Sequence, residues 1–264
     1  MIMQFAVIGN PISHSLSPIL HNTAFKALKI NGFYGRYCLE DSKDFLCLKA
    51  LHLKGANITI PFKETAFLHC TKVFGIAQQI KAVNTILFKD NQIFGYNTDA
   101  LGFYQCVEKY PLKNALILGA GGSAKAVACI LQEKGIHTTI LNRSQARLDT
   151  FIELGFHTST YENFTQKESY DIIINTTPSG LTNDSLPLDK TKLTSILESS
   201  QLAFDLVYGI QTPFLQLAKN LHIPFQDGKN MLINQAILAF EIFMESLDIS
   251  FDKNLLIKSM QNAL

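Results

Sequence analysis

Neither sign of charge predominates in this sequence, which has 23 lysine and arginine residues and 22 aspartate and glutamate residues among its 264. This balance provides no extended field of the kind that attracts nucleic acid or an anionic membrane surface. We therefore expect no nucleic-acid partner and no membrane partner. The composition favours a small-molecule substrate that is held by local chemistry.

Long apolar runs and regular cysteine or histidine spacings are also missing. No apolar stretch reaches about 18 residues and the first residues lack a secretory pattern, so we expect a cytoplasmic protein. The five cysteines are scattered and never form a C-x-x-C pair, and the seven histidines contain no H-E-x-x-H arrangement. These absences predict reduced cysteines that serve in packing, and no metal site.

The sequence has instead a rhythm of short apolar strands and helices. Its length allows one large or two small domains, and the alternation predicts α/β domains with parallel sheets and right-handed crossovers. A break near Tyr110-Pro111 divides the chain. We predict a first α/β domain at 1–110, with helices of 230–264 packing back on it, and a Rossmann-type domain at 111–229. Ligands of open α/β sheets bind beyond the strand ends, so we expect the active site in the interdomain cleft.

Strand and helix positions follow from apolar periodicity and turn residues. Asp90-Asn91, between two apolar segments, indicates a tight hairpin. The predicted strands lie at 4–9, 33–39, 56–60, 83–88, 92–96, 116–118, 138–141, 172–175 and 203–207. The predicted helices lie at 18–29, 42–51, 100–108 and 230–245, and a further helix ends at residue 134.

A glycine-rich turn follows a predicted strand at 115–124, where the sequence reads Ala-Leu-Ile-Leu-Gly-Ala-Gly-Gly-Ser-Ala. Strand, turn and helix in this order are typical of a dinucleotide-binding unit. Gly119 permits the tight turn, Gly121 lets the backbone approach a pyrophosphate, and Ala124 can replace a third glycine. N–H groups at the helix start would bind the pyrophosphate. The competing interpretation is a turn that ends a strand and binds nothing.

The next strand of this unit ends at Asn142-Arg143-Ser144, and Arg147 follows. NAD-binding units usually have an acidic residue here for the ribose 2′-hydroxyl. Two guanidinium groups suit a 2′-phosphate instead, because a planar fork of N–H donors matches phosphate oxygens. We therefore predict NADP as the cofactor. A solvated pair of arginines on a surface helix is the weaker alternative, because like charges at this spacing repel.

Polar side chains follow two strands of the first domain. Ser15 and Ser17 come after the first strand, just before the proline that starts a helix. Ser17 is about equally well explained as a helix N-cap, an alternative that does not apply to Ser15. After the third strand, alternation predicts Ile58 and Ile60 on one face and Asn57 and Thr59 on the other.

Lys63 lies in the first turn of a predicted helix, where the helix dipole disfavours a cation. A residue that breaks a local rule is a functional candidate, although a surface lysine paired with Glu64 is the alternative. Asn84 and Asp99 flank the predicted hairpin, and Asp99 could also be a simple helix cap. Hydroxyl, amide, ammonium and carboxylate groups suit a polyhydroxylated acid. Oxidation of an alcohol needs a proton carrier, and Lys63 and Asp99 are the candidates, with the choice between them open.

Taken together, these residues resemble the shikimate dehydrogenase family over essentially the whole chain. The order of the matching segments is more specific than any one segment. The segments are GNPISHSLSP (9–18), GANITIPFKE (55–64), AVNT (82–85), NTDA (97–100), GAGGSAKA (119–126), NRS (142–144) with Arg147, and DGKNMLINQA (227–236).

The resemblance implies reversible, NADPH-dependent reduction of 3-dehydroshikimate to shikimate, a step in chorismate and aromatic amino acid biosynthesis. It implies that Lys63 and Asp99 form the catalytic pair, with the proton-transfer role usually given to the lysine. The implied substrate ligands are Ser15 and Ser17 for the carboxylate, Thr59, Asn84 and Gln235 for ring hydroxyls, and Tyr208 near the carboxylate. The implied cofactor ligands are Gly119, Ala120, Gly121, Gly122 and Ser123 for the pyrophosphate, Asn142, Arg143, Ser144 and Arg147 for the 2′-phosphate, and Leu206 and Gly228 near the nicotinamide.

Two positions depart from the family pattern. The family commonly has Gly-x-Gly-Met before the last helix, and Asn230 replaces the second glycine of this motif here. The side chain at this position affects how the nicotinamide edge packs. Pro178 lies in the loop after a later strand and removes a backbone donor there. Two other functions stay open: a quinate/shikimate dehydrogenase with broader substrate or NAD use, and a non-catalytic NADP-binding module. The oligomeric state, monomer or homodimer, is also left open.

Overall fold

The computed structural model describes residues 2–166 and 168–264. The chain forms two compact units, of which the first is Met1–Gly102 with Ile233–Leu264 and the second is Phe103–Leu232. The boundary between Gly102 and Phe103 falls inside a helix, whereas the sequence placed the boundary near Tyr110-Pro111. Among the described residues, no helix is both long and apolar enough to cross a membrane.

The helices and strands alternate through both units. The first unit begins with β1 (Met3–Gly9), α1 (Ser17–Ala27), β2 (Gly32–Cys38), a 3₁₀ helix (Ser42–Leu51), β3 (Gly55–Ile58), α2 (Lys63–His69), β4 (Lys72–Val73), α3 (Ala77–Ile80), β5 (Thr85–Lys89) and β6 (Gln92–Tyr96). A helix, α4 (Asp99–Val107), then crosses into the second unit.

The second unit continues in the same alternation. It contains β7 (Asn114–Leu118), α5 (Gly122–Glu133), β8 (His137–Asn142), a 3₁₀ turn (Gln145–Arg147), α6 (Asp149–Glu153), β9 (His157–Thr160), β10 (Ile172–Asn175), α7 (Lys190–Glu198), β11 (Leu202–Asp205), α8 (Pro213–Asn220) and β12 (Phe225–Gln226). The chain returns to the first unit through α9 (Lys229–Glu245) and ends with α10 (Lys253–Gln261).

The division inside α4 has a packing cause. Phe103 of this helix is fully buried and meets Phe204 of β11 edge to face, with the ring centroids 5.0 Å apart. An aromatic pair of this geometry contributes about 0.5–1.5 kcal/mol beyond the burial of its area. The second half of α4 therefore belongs to the core of the second unit.

The sheet of the first unit is mixed, with the strand order β2-β1-β3-β5-β6-β4. β1 pairs with β2 and β3 in parallel, but β5 pairs antiparallel with both β3 and β6. The antiparallel pairing of β5 with β3 departs from the expectation of a parallel sheet, whereas the antiparallel β5–β6 pair is the predicted hairpin. Its turn residues, Asp90 and Asn91, both have positive φ, at 50° and 59°, as a tight two-residue hairpin turn requires.

The sheet of the second unit is parallel throughout, with the strand order β12-β11-β10-β7-β8-β9. From β7 the chain first builds outward through β8 and β9, and then returns to the other side of β7 with β10. This is the Rossmann strand order, and its direction reverses between β7 and β10. The glycine-rich turn after β7 thus lies at the point of the sheet where such folds bind dinucleotides.

An aromatic cluster joins α1 and α9 within the first unit. Phe5 lies against Phe25 and Phe243, with ring centroids 5.5 and 4.9 Å apart, and Phe25 lies 5.0 Å from Phe240. His21 is fully buried in the same cluster, and neither of its ring nitrogens has a hydrogen-bond partner.

Candidate active site

Lys63 and Asp99 form a short ion pair in the first unit. The lysine Nζ lies 2.6 Å from Asp99 Oδ2, and the two side chains are only 18% and 13% exposed. Lys63 begins α2 and Asp99 begins α4, so the fold brings together residues that are far apart in sequence. The geometry gives a partly buried amine held at one carboxylate oxygen.

The simpler interpretations of these two residues do not hold. Glu64 forms no ion pair within the described part of the chain, whereas Lys63 pairs with Asp99. Asp99 does not cap its helix, because the Oδ1 of Asn97 accepts the N–H of Ala100 at 3.2 Å. Both predicted catalytic residues therefore direct their charged groups at each other.

Ser15 and Ser17 lie side by side in the loop between β1 and α1. The two hydroxyl oxygens are 3.3 Å apart, and α1 begins at Ser17 without a side-chain cap. The N-cap interpretation of Ser17 is therefore wrong. Arg36 of β2 fixes this loop, because its Nε and Nη2 donate to the carbonyl oxygen of Ser15 at 3.2 and 2.6 Å. No local sequence pattern indicates this contact.

Thr59 follows β3, which ends at Ile58. Its main-chain N–H donates to the carbonyl of Ile8 at 2.8 Å, and its hydroxyl forms no hydrogen bond among the described residues. Ile58 is 1% exposed and Ile60 is 68% exposed, so the expectation that Ile58 and Ile60 lie on one face is wrong. Because the strand stops at Ile58, the alternation of faces does not extend to Ile60.

Asn84 is 3% exposed and lies in a buried polar network. Its Nδ2 donates to Thr98 Oγ1 at 2.9 Å, and its Oδ1 accepts the main-chain N–H of Thr98 at 2.7 Å. Thr98 immediately precedes Asp99, so the network connects the predicted substrate ligand to the catalytic pair. Gln235 of α9 is also buried, and its backbone packs so closely on Gly102 of α4 that a Cβ there would lie 2.8 Å from the Gln235 nitrogen.

The glycine-rich turn has the shape that a pyrophosphate site needs. Gly119 has φ +107°, and Gly121 precedes α5 with open space where a Cβ would be. Gly122 likewise faces open space. Ala124 is buried, in agreement with its predicted role in helix–strand packing. Ala120 and Ser123 lie in or directly after this turn and are partly exposed.

The cationic end of β8 is free to bind an anion. Arg143 and Arg147 are exposed, and neither forms an ion pair or hydrogen bond in the portion of the chain that the structure describes. Asn142 Nδ2 donates to the carbonyl of Ser144 at 2.9 Å, which fixes the bend after the strand. Two unpaired guanidinium groups beside a Rossmann glycine turn fit the 2′-phosphate of NADP.

Leu206 and Gly228 lie in contact in the second unit. A Cβ on Gly228 would collide with the carbonyl oxygen of Leu206, and the Gly228 N–H donates to Val207 at 3.1 Å. Tyr208 follows on the same loop, and burial raises the pKa of its hydroxyl. Asn230 is exposed in the first turn of α9, so no special backbone conformation requires glycine at this position.

The loop that contains Pro178 is held by side chains. Asn175 Oδ1 accepts the N–H and the hydroxyl of Thr177 at 3.0 and 2.7 Å, and its Nδ2 donates to Asp205 at 3.1 Å. The Thr212 hydroxyl donates to the other Asp205 oxygen at 2.6 Å. Burial raises the pKa of Asp205, although these hydrogen bonds oppose the shift. The ends of β10 and β11 are thus fixed without a backbone donor at Pro178.

Comparisons with known proteins agree with this geometry. Residues 7–86 match the protein-family model for the shikimate dehydrogenase substrate binding domain. A shikimate dehydrogenase (NADP(+)) from Helicobacter hepaticus is 51% identical over 92% of this chain and 91% of its own length. One from Helicobacter pylori is 48% identical over 93% of this chain and 94% of its own.

A solved structure extends the similarity to the fold. The shikimate 5-dehydrogenase from Thermus thermophilus, in complex with NADP(H) and shikimate, aligns with a TM-score of 0.85 at 34% identity, covering 100% of both chains. A Rossmann unit with unpaired arginines and a second α/β unit with a Lys–Asp pair together define an NADP-dependent oxidoreductase. The chain belongs to the shikimate dehydrogenase family.

Proposed function

We propose that Lys63 and Asp99 carry out the proton transfer of an NADP-dependent shikimate dehydrogenase. The protein is an oxidoreductase that acts on a CH–OH group, and its reaction is the reversible reduction of 3-dehydroshikimate to shikimate in aromatic amino acid biosynthesis. The 2.6 Å contact between Lys63 Nζ and Asp99 Oδ2 is the observation that carries the assignment of these residues. When bound, NADP supplies the hydride acceptor in the direction of oxidation.

The proposed roles of the pair follow from its hydrogen bonding. Oxidation of an alcohol releases a proton from the hydroxyl, and a group within hydrogen-bond reach must take it. In the direction of reduction, one N–H of the Lys63 ammonium points to Asp99 and another can be donated to the substrate carbonyl oxygen. The neutral amine that remains is the form that takes the hydroxyl proton in the direction of oxidation. We assign the proton exchange to Lys63 Nζ, and we assign to Asp99 the role of holding that atom in place.

Substrate binding is assigned to neutral polar groups. The adjacent hydroxyls of Ser15 and Ser17 suit a carboxylate, because two O–H donors can bind its two oxygens. Tyr208 is assigned to the same carboxylate. The ring hydroxyls are assigned to Thr59, Asn84 and Gln235.

The cofactor ligands are proposed from the second unit. Residues 119–123 would bind the pyrophosphate through main-chain N–H groups at the start of α5. Arg143 and Arg147, with Asn142 and Ser144, would bind the 2′-phosphate. Leu206 and Gly228 would lie near the nicotinamide.

The test is the absorbance of reduced nicotinamide after purified protein is mixed with shikimate and NADP. NAD and quinate serve as alternative cofactor and substrate, and Lys63→Ala serves as the blank. We expect reduction that requires shikimate, prefers NADP and is lost in the variant. Reduction with NAD at an equal rate would contradict the role of the arginines, and no reduction with any pair would indicate a non-catalytic NADP-binding module.

Three further assignments remain predictions of the sequence. They are a cytoplasmic location, a monomeric or homodimeric state, and a first domain at 1–110 with 230–264 as the substrate-binding and catalytic part, beside a cofactor domain at 111–229. Gel filtration with light scattering measures the second of these directly.

A further inference from the structure

The orientation of the Asn84 amide is fixed by a group that can donate a hydrogen bond but cannot accept one. The main-chain N–H of Thr98 can only donate, and it lies 2.7 Å from Asn84 Oδ1. The Thr85 hydroxyl is also directed at this oxygen, at 3.1 Å. A carbonyl oxygen has two lone pairs, so both are used inside the protein. Asn84 therefore has no strong acceptor left for a ligand.

The nitrogen of the same amide can donate one more hydrogen bond. Nδ2 carries two hydrogens, and one of them points to Thr98 Oγ1 at 2.9 Å. The other has no partner within the described residues. Asn84 is buried to 3% exposure, so an unused N–H at this position is costly unless a ligand accepts it.

Asn57 sets the direction of the Thr85 hydroxyl. Asn57 Nδ2 donates to the carbonyl oxygen of Asn84 at 3.3 Å and to Thr85 Oγ1 at 2.9 Å. A main-chain carbonyl can only accept, so the nitrogen of Asn57 must lie on this side. Thr85 Oγ1 consequently accepts from Asn57, and its own hydrogen is available for Asn84 Oδ1 at 3.1 Å, which is nearer than the other acceptor, Thr98 Oγ1 at 3.3 Å.

Tyr34 is the first donor in this chain of hydrogen bonds. Its hydroxyl donates to Asn57 Oδ1 at 2.6 Å, and the ring stacks on His21 with centroids 4.2 Å apart. Tyr34, Asn57 and Thr85 are all buried. The hydrogen bonds therefore run in a single direction, from Tyr34 through Asn57 and Thr85 to Asn84.

We propose that Asn57 and Thr85 are positioning residues that act together with the Thr98 main-chain N–H to fix the polarity of Asn84, so that Asn84 offers the substrate a single N–H donor. This inference rests on the proposed function and makes it more specific. The substrate oxygen at Asn84 is recognised as an acceptor, which an alcohol oxygen and a carbonyl oxygen can both be. A group that can only donate is rejected at this point.

The test compares Thr85 variants with a control. Thr85→Val removes the hydroxyl and keeps the shape, and Thr85→Ser keeps the hydroxyl. Thr71→Val is the control, because Thr71 Oγ1 accepts the N–H of Ile93 at 3.2 Å in the same unit but lies outside this chain of hydrogen bonds. For each protein, KM and kcat are measured for shikimate and for NADP, shikimate binding is measured by calorimetry, and Tm is recorded.

We expect Thr85→Val to raise the KM and the Kd for shikimate about tenfold, the usual size of one lost buried hydrogen bond. Its KM for NADP should stay within about twofold of the original value, and Thr85→Ser should restore shikimate binding. Thr71→Val should change Tm alone. Should Thr85→Val fail to fold, Thr85→Cys has a weaker donor of similar size, and we expect an intermediate shikimate KM.

The outcomes separate the two proposals. Wild-type protein that turns over shikimate, together with Thr85 variants that lower Tm but leave shikimate KM and Kd unchanged, would show a purely structural network and overturn the positioning role alone. Failure of Thr85→Ser to restore binding would do the same. Wild-type protein that neither binds nor oxidises shikimate would overturn the proposed function, and this inference with it.

Discussion

A Cβ on Gly119 would lie only 2.6 Å from the hydroxyl oxygen of Thr176 and 2.9 Å from a methyl carbon of Thr177. The Thr176 hydroxyl donates to the carbonyl of Leu118 at 2.8 Å, so it cannot move away without losing that bond. The end of β7 and the loop after β10 are therefore packed together at the point where the Rossmann sheet reverses direction. Glycine at 119 makes this contact possible.

Gly119→Ala should destabilise the second unit and weaken NADP binding together. The variant adds a collision to the strain of φ +107°, and we expect a loss of about 2–4 kcal/mol in unfolding free energy. Gly155→Ala is the matched control, because it has φ +83° but no atom near its Cβ. It should lose only about 1–2 kcal/mol from strain. Equal losses in urea unfolding would contradict the role of Thr176.

Lys63→Ala should lower kcat for shikimate oxidation by about 10²–10⁴. The variant should remain folded, because Lys63 begins α2 and contributes little to the apolar core. Lys72→Ala, at an exposed lysine of the same unit, should leave kcat unchanged. Steady-state kinetics make the comparison, and circular dichroism checks that each variant is folded. A kcat for Lys63→Ala within about threefold of the original would rule out proton transfer by this residue.

Arg143→Asp should raise the KM for NADP about tenfold to a hundredfold, as expected for the loss of a charge-assisted hydrogen bond to phosphate. The KM for shikimate should stay nearly constant, and the preference for NADP over NAD should fall. Lys190→Asp makes a similar charge change at an exposed position of the same unit. If that control raises the NADP KM equally, a general field and not a specific contact selects the cofactor.

Acid should destabilise the protein through His21. Burial lowers the pKa of His21 from 6.5 to about 3, so between these values the unfolded chain binds a proton that the folded chain excludes. Stability is therefore full above pH 6.5 and is lost as pH falls. At pH 5 this residue should cost about 2 kcal/mol relative to pH 7. Urea unfolding of His21→Phe should show a stability difference between these pH values that is smaller by this amount.

The sequence predicted those parts of the structure that depend on local patterns. The Asp90-Asn91 turn and the order strand, glycine turn, helix at 115–134 depend on neighbouring residues, and both are confirmed. The antiparallel pairing of β5 with β3 was not predicted, because its direction depends on the path of the whole chain. Ile60 was placed on the wrong face because periodicity alone does not show where a strand ends.

The same distinction between local patterns and the path of the chain applies to the residues of the candidate site. Lys63 was predicted because a cation is disfavoured in the first turn of a helix. Arg143 was predicted because it follows the strand end at which an NAD-binding unit usually has an acidic residue. Tyr34 and Asn57 carried no such signal, since their bond joins residues 23 positions apart through a sheet order that the sequence left undetermined. A buried network becomes visible only when the strands that carry its members are placed side by side.

The first unit is assembled from both ends of the chain, and this sets the order in which the protein can fold during synthesis. α10 packs on α1, and Phe240 and Phe243 of α9 complete the aromatic cluster around Phe5 and Phe25. These helices leave the ribosome after the whole of Phe103–Leu232. Domains generally fold as units as they emerge. The strands described for the second unit are therefore complete before α9 and α10 are available to the first unit, although synthesis of the first unit begins earlier.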